Sequence, residues 1–214
     1  MAHIPHLVVV APWEGPALQL SMMQWRHLTK VLRASQGDRV TYTDGLGTMG
    51  EGRLGNQVVE RGEETFDERD TEIVVASAPP RSKDRQRFLV EKLAELGVAR
   101  LIWLDTKHGK QRVASSSKVF SWVLAAVEQS RGAWLMETGP EQLTWEDLPT
   151  PYVVASPGGP PGPPHARTVV IGPEGGFAAD EVPSEAPTWS LGPTVLRVET
   201  AAVVAAARLL APPV

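Results

Sequence analysis

Two glycine-punctuated stretches, Ile171-Gly172-Pro173-Glu174-Gly175-Gly176-Phe177 and Leu191-Gly192-Pro193-Thr194-Val195-Leu196-Arg197-Val198-Glu199-Thr200-Ala201, decide how this chain folds and what it holds. Each follows a short apolar run, leads into a helix-like stretch and sets Gly beside Pro at the turn. Gly permits close backbone approach and Pro fixes φ, so backbone amides lie exposed on a stiff loop. Two such loops side by side form a pocket read by main-chain groups, suited to a small polar cofactor. The first stretch is not a dinucleotide fingerprint, because Gly-x-Gly-x-x-Gly is missing, and not a P-loop, because no Lys-Ser/Thr follows. Alone it fits a plain strand-to-helix turn equally well. A helix is expected after it from Ala178, with Asp180 and Glu181 at its positive end. Acids there repel a phosphate and leave room for a sulfonium or amino-acid ligand.

Working outward, apolar runs alternate with helical periodicity. Strands are expected at Ile73–Ala76, Leu101–Leu104, Tyr152–Ala155, Val169–Ile171 and Trp189–Leu191. Helices are expected from Ser82 to Gly97 (apolar face Phe88, Leu89, Leu93, Leu96), from Ser115–Ser117 through Phe120, Leu124 and Val127, and from about Thr200 to Pro212-Pro213. This alternation predicts an α/β domain with a parallel sheet. The Pro/Gly-rich loop Pro157–Pro164 separates two of its strands.

The first 70 or so residues read differently. Leu7–Val10 and Arg39–Thr43 are strand-like, an Asp44-Gly45 turn follows, and Gly47 to Gly55 continues a loop-rich β region. Between them Ser21-Met22-Met23-Gln24 is a capping-box pattern opening a helix. Leu28, Val31 and Leu32 form its apolar face, and Arg26, His27, Lys30 and Arg33 its basic one. The acidic stretch Arg61–Asp70 reads as the linker, dividing the chain into residues 1–70 and 71–214.

The 214-residue chain has no cysteine, which excludes disulfides, thiolate catalysis and Cys-based zinc sites. His3, His6, His27, His108 and His165 show no ligand spacing, so no metal is expected. No apolar run reaches the roughly 20 residues of a membrane span, and the N-terminus lacks a signal-peptide layout, so a cytoplasmic protein is expected. Net charge is −4, yet residues 81–118 are markedly basic and residues 60–72 acidic. A local basic zone on an acidic chain suits a specific polyanion contact, or else a solvated charged face.

Together, Ile171–Phe177 and Leu191–Ala201 resemble the signature of the SPOUT methyltransferases. More narrowly, Glu91-Lys92-Leu93-Ala94-Glu95-Leu96-Gly97-Val98, Glu128-Gln129-Ser130-x-Gly132 and Val195–Ala201 resemble the RsmE family, as do Arg26-His27-Leu28-x-x-Val31-Leu32-Arg33 and Gly37-Asp38. The resemblance covers nearly the whole chain. It implies a SPOUT-type α/β domain with a C-terminal trefoil knot, preceded by a small PUA-like β-barrel that binds RNA. It also implies S-adenosylmethionine as cofactor, N3 of a uridine in 16S rRNA of the small ribosomal subunit as acceptor, and a homodimer with the active site near the interface. Family members commonly carry an arginine near the start, where this chain has Pro5-His6.

On this reading Ile171, Gly172, Pro173, Glu174, Gly175, Gly176, Leu191, Gly192, Val195, Leu196, Arg197 and Thr200 hold the cofactor, and Arg26, His27, Lys30 and Arg33 grip RNA. Uracil N3 carries a weakly acidic N–H, so a base or a cation near the ring oxygens would help. Glu199 is the first candidate for the base and Arg197 for the cation, with Glu128 and Glu174 as alternatives. Glu199 would equally serve as a helix N-terminal carboxylate, and Arg197 as a phosphate grip. Two rivals stay open: a SPOUT enzyme acting on a ribose 2′-OH or a guanine nitrogen, and a non-catalytic RNA-binding assembly protein.

Overall fold

In a computed structural model, residues 4–10, 12–69, 71–162 and 165–211 are described. They form two compact units, one of residues 1–70 with 127–135 and the other of residues 71–126 with 136–214.

The first unit is built on a five-stranded sheet. β1 (His6–Val8) runs parallel to β3 (Arg39–Thr43), and β4 (Thr48–Leu54), β5 (Val58–Phe66) and β2 (Ala17–Gln19) continue antiparallel in the order β1-β3-β4-β5-β2. Leu7, Leu18, Leu28, Val40, Tyr42, Leu54 and Val59 make its core. α1 (Met22–Arg26) opens with the expected capping box: Ser21 Oγ accepts the Gln24 N–H and Gln24 Oε1 accepts that of Ser21. The helix then widens into a π-turn over His27–Val31, closed by Leu32 N–H donating to the His27 carbonyl. An i→i+5 turn rotates the register. Of the three apolar residues expected inside, Leu28 is buried, whereas Val31 and Leu32 are exposed. Arg26, His27, Lys30 and Arg33 are all exposed, and Arg33 ends the turn in the left-handed region at φ 57°.

The acidic stretch expected as a linker is instead mostly strand, since β5 runs to Phe66. Of its acids, Glu64 finds a cation: Arg61 makes a bidentate pair with Glu64 (2.7 Å for both bonds), and the Tyr42 hydroxyl donates to Glu64 at 2.9 Å. High charge, a mark of linkers in composition, here marks the wet face of a strand. Asp70 lies outside the described residues.

The second unit holds a six-stranded, wholly parallel sheet of β6 (Val74–Ser77), β7 (Arg100–Leu104), β8 (Glu137–Leu143), β9 (Tyr152–Ala155), β10 (Thr168–Ile171) and β11 (Thr188–Trp189), in the order β11-β9-β10-β6-β7-β8. Edge strand β8 escapes periodicity because Gly139 and Pro140 interrupt it, which an edge tolerates. α2 (Lys83–Glu95) is capped by Ser82, whose Oγ accepts the Arg85 N–H, and stops before Gly97 at φ 80°. It buries Leu89, Val90 and Leu93, leaving the expected face residues Phe88 and Leu96 more than a third exposed. α3 (Ser116–Ser130) buries Val119, Trp122, Val123, Ala126 and Val127, and Phe120 stays exposed. α4 (Val198–Leu210) starts two residues before the expected Thr200 and packs on α2, β10 and β6 through Ala201, Ala202, Ala205 and Ala206. The expected stop at Pro212-Pro213 lies outside the described residues. Among the described residues, no helix is long and apolar enough to cross a membrane.

The helix expected after Gly176 does not form. Residues 178–185 are turns, because Pro183 leaves too few residues for a stable helix after the Gly175-Gly176 break. Its acids cap turns instead. Glu181 accepts N–H bonds from Ala178 (2.9 Å) and Lys107 (2.8 Å), and Asp180 pairs with the Lys107 ammonium at 2.7 Å.

Gln86, 1% exposed on α2, is the main polar staple of the second unit. Its Nε2 donates to the carbonyls of Pro80 (3.0 Å) and Arg112 (3.1 Å), and its Oε1 accepts the Ala114 N–H (3.0 Å). Gln86→Ala strands three buried backbone groups and opens a void, and should cost about 2–4 kcal/mol in denaturant unfolding. In the first unit, burial holds the Glu128 carboxyl above its usual range, although the Val8 N–H (3.2 Å) and His27 pull it back. The folded state therefore binds this proton more tightly than the unfolded one. Glu128 thus opposes folding at pH above its raised value, and that cost fades as pH falls to the ordinary carboxylate range. Glu128→Gln, which keeps an acceptor for Val8, should be more stable than the parent at pH 7 and lose that advantage near pH 4, as urea titrations at both pH values would register.

Candidate functional site

The carboxyl ends of β9, β10 and β11 open into a cleft of about 460 Å³ within the second unit. Ligand clefts are expected there in open parallel sheets. Three connections wall it. Ala155 ends β9 and Ser156 and Pro157 follow it, Gly172 to Glu174 and Gly176 to Ala179 follow β10, and Leu191, Gly192 and Thr194 to Leu196 follow β11, with Val198 and Ala201 of α4 behind. Of the twelve residues expected to hold a cofactor, Ile171, Gly172, Pro173, Glu174, Gly176, Leu191, Gly192, Val195 and Leu196 line the cleft. Gly175, Arg197 and Thr200 are exposed and are not among its lining residues.

Gly172 is required by packing. A Cβ there would lie 2.8 Å from the Phe177 ring, which itself stacks at 5.2 Å on Trp145. The Pro/Gly loop after β9 is held by Arg208, which donates to the carbonyls of Ser190 (3.0 Å) and Pro161 (2.8 Å) and lies over the Trp189 ring. Pro157 lines the cleft, while Pro163 and Pro164 lie outside the described residues. Sequence reading missed Val154–Pro157, Phe177, Val182, Thr188 and Thr194, all of which line the cleft. The first group follows an apolar strand like any other, and only strand order brings it beside the glycine loops.

The charged groups gather at one wall. Glu174 lines the cleft, and its Oε1 accepts the Arg81 backbone N–H at 3.3 Å. Arg81 Nε stands 4.0 Å from Glu174 Oε2, and Arg85 Nη1 4.0 Å from Glu174 Oε1. Arg85 Nε is also 3.6 Å from Oε1 of Glu199, which is buried in the first turn of α4. Arg85 therefore ties Glu174, an expected alternative for the base, to Glu199, the first candidate. The other expected catalytic group, Arg197, is the exposed N-cap residue of α4 and makes no side-chain cap bond. Glu128 belongs to the first unit, on the Val8 N–H. Of the four basic residues expected to grip RNA, Arg26, His27 and Lys30 are exposed on α1 and its π-turn, and Arg33 is exposed just beyond the turn. Among the described residues, no group of three or more His, Asp or Glu side chains could hold a metal.

Among the described residues, no lysine or arginine lines the cleft, whose walls are apolar side chains, glycine backbone, the hydroxyl residues Ser156, Thr188 and Thr194, and the Glu174 carboxylate. That lining does not suit a polyphosphate. It suits an uncharged heterocycle with a cationic centre.

Residues 67–148 and 159–210, more than half of the chain, match the family model of the RNA methyltransferase domain. No curated protein matches. Among solved structures, the chain is similar to ribosomal RNA small subunit methyltransferase E of Neisseria gonorrhoeae, solved with S-adenosyl methionine bound, at 24% identity over 96% of each chain and a TM-score of 0.83. It is likewise similar to a methyltransferase-like protein of Legionella pneumophila, also solved with that cofactor (24% identity, 97% of each chain, TM-score 0.81). A third likeness is to a protein of Porphyromonas gingivalis described as an rRNA methyltransferase (23% identity, 95% of each chain, TM-score 0.81). At such identities these likenesses establish the fold, and the family match carries the rest: the chain belongs to the RNA methyltransferase domain family.

Proposed function

We propose that this protein is an RsmE-type enzyme that uses S-adenosylmethionine to methylate N3 of a specific uridine in 16S rRNA of the small ribosomal subunit. The observation that carries the cofactor is the cleft itself, with no lysine or arginine among its described lining residues and with Gly172 and Gly192 at its two loop turns. The residues around it fit the group. Backbone of Ile171, Gly172, Gly176, Leu191, Gly192 and Leu196 would hold adenine, and Glu174 supplies the negative charge that a sulfonium favours. When bound, that cofactor supplies an electrophilic methyl group, so no metal is called for. The strand order, with β10 lying between β6 and β9, is consistent with the trefoil knot that the resemblance implies.

The protein's own residues have three tasks. Arg26, His27, Lys30 and Arg33, exposed on one short helical stretch, hold RNA backbone or splayed bases. The target uridine leaves its stack, as base-modifying enzymes require. A carboxylate beside the cleft takes the N3 proton, and a guanidinium steadies the charge left on the ring oxygens. Residues 1–70 serve as the PUA-like RNA-recruiting domain, and residues 71–214 as the catalytic one. Two copies act together in the cytoplasm, with α4 and Glu128–Arg131 near the shared interface.

Incubating the protein with methyl-labelled S-adenosylmethionine and unmethylated small subunits should yield N3-methyluridine on nucleoside analysis. Recovery of 2′-O-methyl nucleosides or methylguanine would overturn the acceptor, and an absence of cofactor binding at millimolar concentration would overturn the enzyme. Arg33 sits at a positive φ that glycine adopts without strain. Arg33→Gly should therefore leave the melting temperature unchanged or slightly raised and cofactor affinity intact, yet weaken RNA binding several-fold and lower its salt dependence by about one phosphate contact.

A further inference from the structure

The charged wall of the cleft holds more than the expected base and cation. Arg81 and Arg85, four residues apart at the start of α2, stand on either side of the Glu174 carboxylate, with their guanidinium nitrogens 4.0 Å from its two oxygens. At that distance there is attraction but no hydrogen bond. Among the described residues, neither guanidinium donates a hydrogen bond, although each carries five donors in a fixed fork. Of the four charged side chains here, Glu174 is the one that lines the cleft. Glu199 lies deeper, its side chain 9% exposed. One of its oxygens faces Arg85 Nε at 3.6 Å, and the other is buried without a partner. Arg85 itself is more than a third exposed.

Resting on the methyltransferase reading, we infer that Arg81, Glu174 and Arg85 form the subsite that reads the edge of the target uracil, that Glu174 accepts its N3 proton, and that Glu199 is a positioning residue that anchors Arg85. Uracil presents an acceptor, a donor and an acceptor: O2, N3–H and O4. Guanidinium, carboxylate, guanidinium is the complementary order of donor, acceptor, donor. Cytosine, with an unprotonated N3 and an amino group at C4, mismatches two of the three positions, and guanine mismatches one. In the step itself the N3–H bond breaks, the proton passes to a Glu174 oxygen and the electron pair stays on the ring. The resulting charge spreads to O2 and O4 beneath the two guanidinium groups until N3 takes up the methyl. Charge balances, because the sulfonium leaves as a neutral thioether and the carboxylate ends as the acid. Glu199 suits the anchoring role: a buried carboxylate in the first turn of α4 restrains a long, flexible arginine whose other ion pair, to Glu174, is the longer one at 4.0 Å.

The test uses the full-length protein with 16S rRNA transcribed with either uridine or 5-fluorouridine, whose N3–H is more acidic. Glu174→Gln should slow single-turnover methylation of the uridine transcript at saturating S-adenosylmethionine about 100-fold, and lose at most a tenth as much on the 5-fluorouridine transcript. An equal defect on both transcripts, or none on the first, overturns the proton-acceptor role. Should Glu174→Gln fail to bind cofactor, Arg85→Gln decides. It should lose about tenfold on uridine, recover on 5-fluorouridine and be partly rescued by Arg85→Lys. Glu199→Gln should match the Arg85→Gln loss, and the double variant should be no slower than Arg85→Gln, whereas additive losses overturn the anchor. In a readout without cofactor, the parent should bind oligouridylate about tenfold better than oligocytidylate, and Glu174→Gln and Arg85→Gln should lose that preference. A preference kept by both variants overturns the edge-reading subsite. Failure of the parent to form N3-methyluridine sinks the underlying reading, whereas normal methylation by Glu174→Gln sinks this inference alone.

Discussion

Everything in the second unit depends on where β10 sits. Its four residues, Thr168–Ile171, are buried, with β6 on one side, β9 on the other and α4 packed against it. A strand enclosed in this way has no exposed edge, so its side chains are apolar save Thr168, and the helix over it must come close. The alanines at 201, 202, 205 and 206 make that approach possible, since larger residues would force α4 off the sheet. At the end of β10 the chain has to turn sharply beneath the Phe177 ring, and Gly172 is the residue that leaves room for it. The cleft is the space left over beyond that turn, and the loops after β9 and β11 are its other walls because those strands lie beyond β10 in the sheet.

Much of this was legible in the sequence because it rests on local physics. The capping box at Ser21–Gln24, the Ser82 cap, the Gly97 stop and the buried runs of the parallel strands each obey a rule that spans a few residues. So do the two glycine loops, which supply nine of the cleft's lining residues among those expected. What was not legible depends on partners far away in sequence. Glu63, Glu64 and the other acids of β5 look like a linker until Arg61 and the neighbouring strands are seen. The acids after Ala178 look like a helix start until Lys107, over 70 residues away, is found to supply one of their N–H groups. Val31 and Leu32 look buried until the π-turn rotates them outward.

Charge follows the same division. Exposed pairs such as Arg39–Glu51, with both side chains about half exposed, contribute little to stability, because water screens them. The half-buried Arg61–Glu64–Tyr42 group has more weight, because desolvation strengthens each bond and makes a missing partner costly. Net charge therefore said little about the site, whereas the basic run 81–118 contains Arg81 and Arg85, which stand beside it. The informative charges are the few held partly out of water beside the cleft.

That separation has a chemical logic. The proposed sulfonium cofactor would carry its own leaving group, so the cleft would have only to hold it still, which backbone and apolar contacts can do without strong charges of their own. For the proposed uridine acceptor the harder demand falls on its nitrogen, masked by a proton until a base removes it. Under that proposal charged groups are needed where the base enters and would be a hindrance where adenine lies. Lysine and arginine are missing from the described cleft lining, while two arginines and two glutamates gather at the one wall that Glu174 shares with it. Because α2 supplies Arg85, the residue before its cap is Arg81, the β10 loop supplies Glu174 and α4 supplies Glu199, the packing of α4 on α2 and β10 also sets the geometry of these four charged groups.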